Sequence, residues 1–377
     1  MDWTPRAEAL AEAVTHPDSR WRGAIASTPR HVFVPNWFTS GSDGYTLRNG
    51  PKDEEAWLDA AYSNRSLVTK VGTLHADHAG PGDRPVGWPT SSSTLTSLVM
   101  QMFRHLRVHD DSHVLDVATG SGYSAALLSG LLGDDQVTSI DVDPYLTQAA
   151  TERLDSVGLH PEVLTVDATG PLPGEYDRIV SMVSVTPIPA SWLTALRPGG
   201  RLVTVIANTS MIVTAWKTED GGAVGQVERD WAMFMRTRHG VDYPPGLVEL
   251  FADVRDREGE DITTGRYGVI EVRETWEVNS MLEVTCPGIE HHYERGEDGR
   301  RTAWMLHVDG SWARASGMNG EAPIVHQGGP RRLWDALEEI RHRQSMRGTL
   351  PIYGATAKIT PGGVIQLKRG PWTATIG

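Results

Sequence analysis

Only one cysteine, Cys286, occurs in the 377 residues. No disulfide can form within the chain, and a reducing cytoplasm is the expected setting. No run approaches the roughly 18 consecutive apolar residues of a membrane span. Basic residues are in deficit, 35 Lys and Arg against 48 Asp and Glu, for a net charge of −13. That balance excludes a broad electrostatic affinity for nucleic acid or anionic membrane, so neither is an expected partner. Phenylalanine is scarce, 5 residues against 13 tryptophans. The tryptophans are therefore expected to fill the core and a domain interface, with some free to line a groove. The opening stretch MDWTPRAEALAEAVTHPDSRW lacks a basic segment followed by an apolar one, and reads as amphipathic helix rather than secretory leader. No internal repeat and no low-complexity tract is present.

What is there alternates. One or two helices are expected over 3–27, a short extended piece over TPRHVFVP (28–35), a surface excursion over 36–66 and a strand over 66–74. A Gly/Pro loop (75–89) and a helix over 90–106, capped by its own serines, follow. From 113 onward short apolar runs and amphipathic segments alternate: strands at 113–118, 136–143, 161–168, 176–185 and 198–208, and helices at 123–132, 144–158 and 189–196. This rhythm predicts an α/β, doubly wound parallel sheet. It breaks near 210. Hairpins at 211–235, 301–317 and 355–376 and a helix at 331–346 predict a separate α+β domain over 211–377.

The stretch VLDVATGSGYSAALLSGLL (114–132) carries the first chemistry. Gly120 and Gly122 leave a strand and open a helix, where a missing Cβ lets backbone approach a ligand. Asp141 ends the next strand about 20 residues on, where a ribose diol is received. Asp167 ends the strand after that, placed to accept an exocyclic amine; its alternative role is a turn former. Three polar groups at successive strand ends point to a nucleotide-like ligand. Gly120-x-Gly122-x-x-Ala125 also satisfies a dinucleotide pattern, so spacing leaves NAD open.

The same stretch resembles the first motif of class I S-adenosylmethionine-dependent methyltransferases, and more narrowly the protein-L-isoaspartate O-methyltransferase family. TPRHVFVP, PTSSSTLTSLVMQM and YDRIVSMVSVTPIPASWLTALRPGGRLV resemble further segments of that family, in its order, over about 20–208. The resemblance implies a Rossmann-like methyltransferase domain over 1–210, with 36–89 as an insertion that approaches substrate. It implies S-adenosylmethionine as cofactor, leaving as S-adenosylhomocysteine. The implied cofactor residues are Asp116, Ala118, Thr119, Gly120, Ser121, Gly122, Tyr123, Asp141, Val142, Asp167 and Ala168. Ser92 matches the family's active-site serine, with Thr90, Ser91 and Ser93 beside it as catalytic candidates.

Departures concern the substrate. Ala118 replaces a family glycine, Thr94 a proline and Pro89 a glutamine, and the segments 36–89 and 211–377 exceed a compact repair enzyme. Together they resemble members found with ribosomally made, modified peptides of the graspetide and lanthipeptide kinds. Those members esterify an aspartate of a constrained precursor peptide, leading to aspartimide and then isoaspartate. Repair of isoaspartate in aged proteins is the alternative, and a non-catalytic cofactor- or peptide-binding module is the alternative of another class. A carboxylate acceptor is already ionised near neutrality, so no catalytic triad is expected. Lys70, Arg331 and Arg332 are candidate cations for an acidic peptide, with 211–377 as the peptide-binding part. The pairs His75/His78 and His291/His292 come without further ligands at metal spacing, so no metal is expected. Cys286 is expected to be a buried structural thiol.

Overall fold

Val114, Leu115, Asp116 and Val117 are each at most 1% exposed, as a strand covered on both faces requires. They form one strand of a computed structural model that describes residues 2–42, 44–238, 243 and 246–377.

The chain starts with α1 (Thr4–Val14) and α2 (Trp21–Ser27). The expected extended piece at 28–35 is instead a single 3-10 turn at Arg30–Phe33. Arg30 decides this. Its guanidinium is fully buried and donates to the carbonyls of Ala61, Ser63, Arg65, Ser93 and Thr94. The predicted surface excursion is folded too. It contains β1 (Asn36–Gly41), β2 (Gly44–Asn49) and α3 (Glu54–Tyr62), and buries Trp37, Phe38, Leu58 and Ala61. β3 (Leu67–Val71) takes β1, β4 (Leu74–His75) and β5 (Pro89–Ser93) as antiparallel partners. Only at Thr96 does α4 (Thr96–Leu106) begin, and no side chain caps it. The serines are therefore strand residues and not helix caps.

The alternating segment follows its prediction closely. It comprises β6 (Val114–Val117), α5 (Tyr123–Leu132), β7 (Val137–Asp141), α6 (Pro144–Ser156), β8 (Glu162–Thr165), β9 (Tyr176–Val185), α7 (Ala190–Ala195) and β10 (Leu196–Ile206). The parallel order is β8-β7-β6-β9-β10.

The boundary expected at 210 falls inside this sheet. β11 (Met211–Lys217) pairs with β10, and β12 (Ala223–Trp231) pairs with β11. The short α8 (Val248–Val254) and β13 (Asp261–Thr264) lead to α9 (Trp276–Thr285), β14 (Glu290–Arg295), β15 (Arg301–Leu306), β16 (Trp312–Gly317), β17 (Ile324–Gly328) and α10 (Leu333–Arg347). These strands make a separate antiparallel sheet in the order β13-β17-β16-β15-β14. The chain then returns as β18 (Thr356–Ile359), β19 (Ile365–Arg369) and β20 (Trp372–Ile376), which extend the first sheet to ten strands. One continuous core joins Leu115 and Ile140 to Trp192, Trp334 and Ile365. A cut at 210 would divide it.

Candidate active site

Beyond Val117 the backbone turns sharply. Ala118, Gly120 and Gly122 have φ of 73°, 51° and 89°. The amides of Ala118 and Thr119 donate to the Ile140 carbonyl at 2.8 and 3.0 Å, which holds the turn against β7. The Gly120 amide donates to Asp141 Oδ2 at 3.0 Å, and the Asp143 amide to Oδ1 at 3.1 Å. Burial raises the Asp141 carboxyl above the usual carboxylate range, against the lowering by those two N–H groups. Above the turn lies a cavity of about 340 Å³. A Cβ added at Gly120 would sit 3.6 Å from the Ser92 carbonyl and 4.0 Å from Ser91 Oγ. The glycine turn and the serine strand thus face each other across a gap that Gly120 keeps open.

Thr90, Ser91 and Ser92 line the cavity. The Thr90 hydroxyl donates to the Gly72 carbonyl at 2.7 Å, and Ser91 Oγ accepts from Thr69 at 3.1 Å. Ser92 is half-buried, and no hydrogen bond of its hydroxyl is formed among the described residues. From the glycine turn and neighbouring strand ends come Ala118, Thr119, Gly120, Ser121, Tyr123, Asp141, Val142, Asp167 and Ala168. Asp167 Oδ1 accepts from the amide and hydroxyl of Thr169, so it forms a local turn while facing the cavity.

Six candidates lie elsewhere. Asp116 is wholly buried below the turn and does not line the cavity. Its Oδ2 accepts from Ser124 at 2.8 Å and Ser139 at 2.9 Å, and Ser139 Oγ lies 2.7 Å from Thr119 Oγ1. Asp116 therefore acts through the turn. Burial pushes its carboxyl up to about 6, with hydrogen bonds from the two serines opposing the rise. A Cβ on Gly122 would meet Ala150 at 3.1 Å, so this glycine serves helix packing. Ser93, the last residue of β5, is buried and does not line the cavity. Lys70 is buried in an ion pair with Asp143 at 2.7 Å and does not line the cavity. Arg331 is paired to Asp309 and Arg332 to Asp261, neither beside the cavity. Among the described residues no group of three or more metal-ligating side chains occurs. Cys286 is buried, with its Sγ 3.4 Å from Arg331 Nη1.

One wall was not foreseen. After β12 the segment 233–238 runs along the carboxyl end of β9. The Ser184 amide donates to the Met235 carbonyl at 2.8 Å and the Thr237 amide to the Ser184 carbonyl at 2.9 Å. Met233, Phe234, Arg236 and Arg238 all line the cavity. The only sequence signal was the pair of arginines in MRTRHG, just past the predicted hairpin.

Residues 83–237 match the family described as protein-L-isoaspartate(D-aspartate) O-methyltransferase. The protein-L-isoaspartate O-methyltransferase of Methanopyrus kandleri is 36% identical over 206 residues, which are 52% of this chain and 74% of the relative. The chain belongs to this family. The Myxococcus xanthus protein-L-isoaspartate O-methyltransferase is 29% identical over 195 residues, 50% of this chain and 90% of that one. A solved protein-L-isoaspartate O-methyltransferase structure shares the fold at a TM-score of 0.50 and 15% identity, over 99% of this chain and 98% of its own. As a family member the protein is an S-adenosylmethionine-dependent protein carboxyl O-methyltransferase. The cavity fits that cofactor. Gly120 leaves space against the serine strand, Asp141 and Asp167 offer carboxylates at successive strand ends, and Val142, Leu146 and Val166 supply apolar walls for a base. The family match ends at Thr237 and so includes most of the unforeseen wall.

Proposed function

We propose that this methyltransferase esterifies the side-chain carboxylate of an aspartate in a ribosomally made, ring-closed peptide. Aspartimide and then isoaspartate follow from the ester. The observation that best supports a peptide carboxylate as acceptor is the pairing of walls around the cavity. Ser92, with an uncommitted hydroxyl, lies on one wall, and Arg236 and Arg238 lie on the other. Two cations at one cavity of a chain with net charge −13 are a local reversal of sign. The choice of a ring-closed acceptor rests on Pro89, Thr94 and the segments 36–89 and 211–377, which resemble peptide-maturing members.

Bound S-adenosylmethionine supplies an electrophilic methyl group on a sulfonium. The chain holds that cofactor with the Gly120–Ser121 backbone and the carboxylates of Asp141 and Asp167. The acceptor carboxylate is ionised near neutrality, so the chain has no proton to move. Its task is aim. The Ser92 hydroxyl donates to one carboxylate oxygen and leaves the other toward the donor, while Arg236 and Arg238 hold the negative charge in place. Such positioning contributes up to roughly 7–11 kcal/mol. Met233 and Phe234 keep water from the reacting pair. Once the ester exists, the next amide nitrogen attacks its carbonyl and expels methanol, closing the imide.

A second reading, isoaspartate repair, is supported by the family relatives and by the fold likeness along the whole chain. Mass spectrometry separates the two. Cyclised aspartyl peptide, its linear form and an isoaspartyl peptide are each incubated with enzyme and S-adenosylmethionine. Methyl gain followed by net loss of water on the cyclised form alone supports the proposal. Methylation of the isoaspartyl peptide alone replaces it with repair. Calorimetric binding of S-adenosylhomocysteine without methylation of any peptide would leave a non-catalytic module.

A further inference from the structure

Four exposed apolar side chains lie on or near segments that line the cavity. Trp88 is 63% exposed, Trp231 47%, Met233 49% and Trp276 36%. Isolated exposed apolar residues are ordinary, but contiguous ones mark interaction sites. Here contacts join Trp88 to Arg273 and Trp231 to Trp276. Pro89 lines the cavity, and its neighbour Trp88 lies under the Arg273 guanidinium, 5.2 Å from ring centroid to carbon. Arg273 stands one turn before Trp276, which meets Trp231 edge-on at 3.7 Å between centroids. Two residues beyond Trp231, Met233 lines the cavity again. Two contacts, Arg273 over Trp88 and Trp276 against Trp231, thus lie on segments that reach the cavity wall at Pro89 and at Met233.

The rim is built across two parts of the protein. Trp88 and Trp231 fall within the span that matches the family, whereas Arg273 and Trp276 belong to the layer beyond it. Its backbone is held in place. The Gly72 amide donates to the Trp88 carbonyl at 3.0 Å, and the Gln101 side chain to the Trp231 carbonyl at 2.9 Å. Inside the rim stand Arg236 and Arg238. Tryptophan and arginine are the residue types that carry most energy at binding surfaces.

We propose that this rim binds the substrate peptide next to its acceptor residue and selects an apolar or aromatic side chain there, with Trp88 as platform and Arg273 as the cation that fixes it. The inference rests on the reading of the protein as a peptide carboxyl methyltransferase. The occupant follows from place and charge: the rim adjoins the acceptor cavity, and its cation suits a chain bearing carboxylates. It makes Trp88 and Arg273 positioning residues, which touch the peptide and not the reacting atoms.

The test uses the full chain and matched peptides, both isoaspartyl and ring-closed aspartyl, with Phe or Gly beside the acceptor. Initial rates are measured for wild type, Trp88→Ala, Trp88→Phe and Arg273→Ala. Affinity for S-adenosylhomocysteine is measured by calorimetry as a fold control. Wild type is expected to show a KM about fivefold lower for the Phe peptides, a typical cation–π and stacking margin. Trp88→Ala and Arg273→Ala are expected to erase that margin with kcat and cofactor affinity held, and Trp88→Phe to restore part of it. A margin that survives in both alanine variants overturns the rim while leaving the methyltransferase reading intact. Absence of methylation on every peptide overturns that reading itself. A concentration-dependent dimer that Trp88→Ala dissociates, with unchanged peptide kinetics, assigns the patch to a second copy and overturns the proposal.

Discussion

Arg238 donates from Nη1 to the carbonyl of Thr90 at 2.6 Å, a bond that ties the segment after β12 to the strand of serines. The two walls of the cavity are thereby joined. The Arg238 charge also lowers the Asp141 carboxyl, opposing the effect of burial. Arg238→Ala is expected to reduce kcat/KM for peptide by about 10- to 100-fold, the worth of a charge-assisted hydrogen bond. Calorimetry with S-adenosylhomocysteine should show a smaller loss. An unchanged kcat/KM would remove Arg238 from the acceptor site.

Ser92 distinguishes a catalytic from a capping role. A cap residue replaced by alanine costs about 1 kcal/mol of stability. Ser92 lies on β5, three residues before the helix-flanking Leu95 and without a capping bond. Ser92→Ala is therefore expected to leave the melting temperature in place and to lower kcat by about tenfold. A fall in melting temperature with kcat intact would reverse the assignment.

Asp116 predicts a pH dependence. Its carboxyl titrates near 6 in the folded protein, above about 4 for an unfolded aspartate. The folded state then binds the proton more tightly, so stability from this group is fully present below about pH 4 and is lost as pH rises through about 6. The loss is on the order of 2–3 kcal/mol. Asp116→Asn removes this dependence. Urea midpoints between pH 4.5 and 7.5 should show the variant gaining on wild type as pH rises; a constant difference would show that Asp116 does not titrate in this range.

Ala118 carries a strain that glycine would not. Its φ of 73° lies in the left-handed region, which costs a residue with a Cβ about 1–2 kcal/mol, offset in part by the greater freedom of glycine when unfolded. The replacement of a family glycine by alanine is thus a larger change than its size suggests. Ala118→Gly is expected to raise stability by about 0.5–1 kcal/mol, read as a higher urea midpoint. A lower midpoint would refute the strain.

A chain ending at residue 210 should not fold. It would expose the edge of β10 and remove β11, β12 and β18–β20 from the ten-stranded sheet. It would also remove Phe234 from the cavity. Expression of 1–210 is expected to give aggregate, whereas a soluble chain that binds S-adenosylhomocysteine would show that the parallel strands suffice.

Sequence alone determined the local features. The alternation from Val114 to Ile206 follows from hydrophobic period, and the glycine turn and strand-end carboxylates at Asp141 and Asp167 follow from turn chemistry within a few residues. Tertiary structure decided what depends on distant partners. Ser91 and Ser92 are strand residues because β3, remote in sequence, offers them an edge. Lys70 is set away from the cavity because folding buries it against Asp143, far along the chain. The hairpins at 211–235 and 355–376 join the first sheet because β10 leaves an edge that β11 covers and β12 one that β18 covers. Met233–Arg238 became a wall because the end of β9 offered Ser184 backbone groups to pair with. Hydrophobic period and glycine act within one element and can be read along the chain. Strand pairing and ion-pair burial are settled only when elements far apart in sequence compete for the same backbone groups and charges.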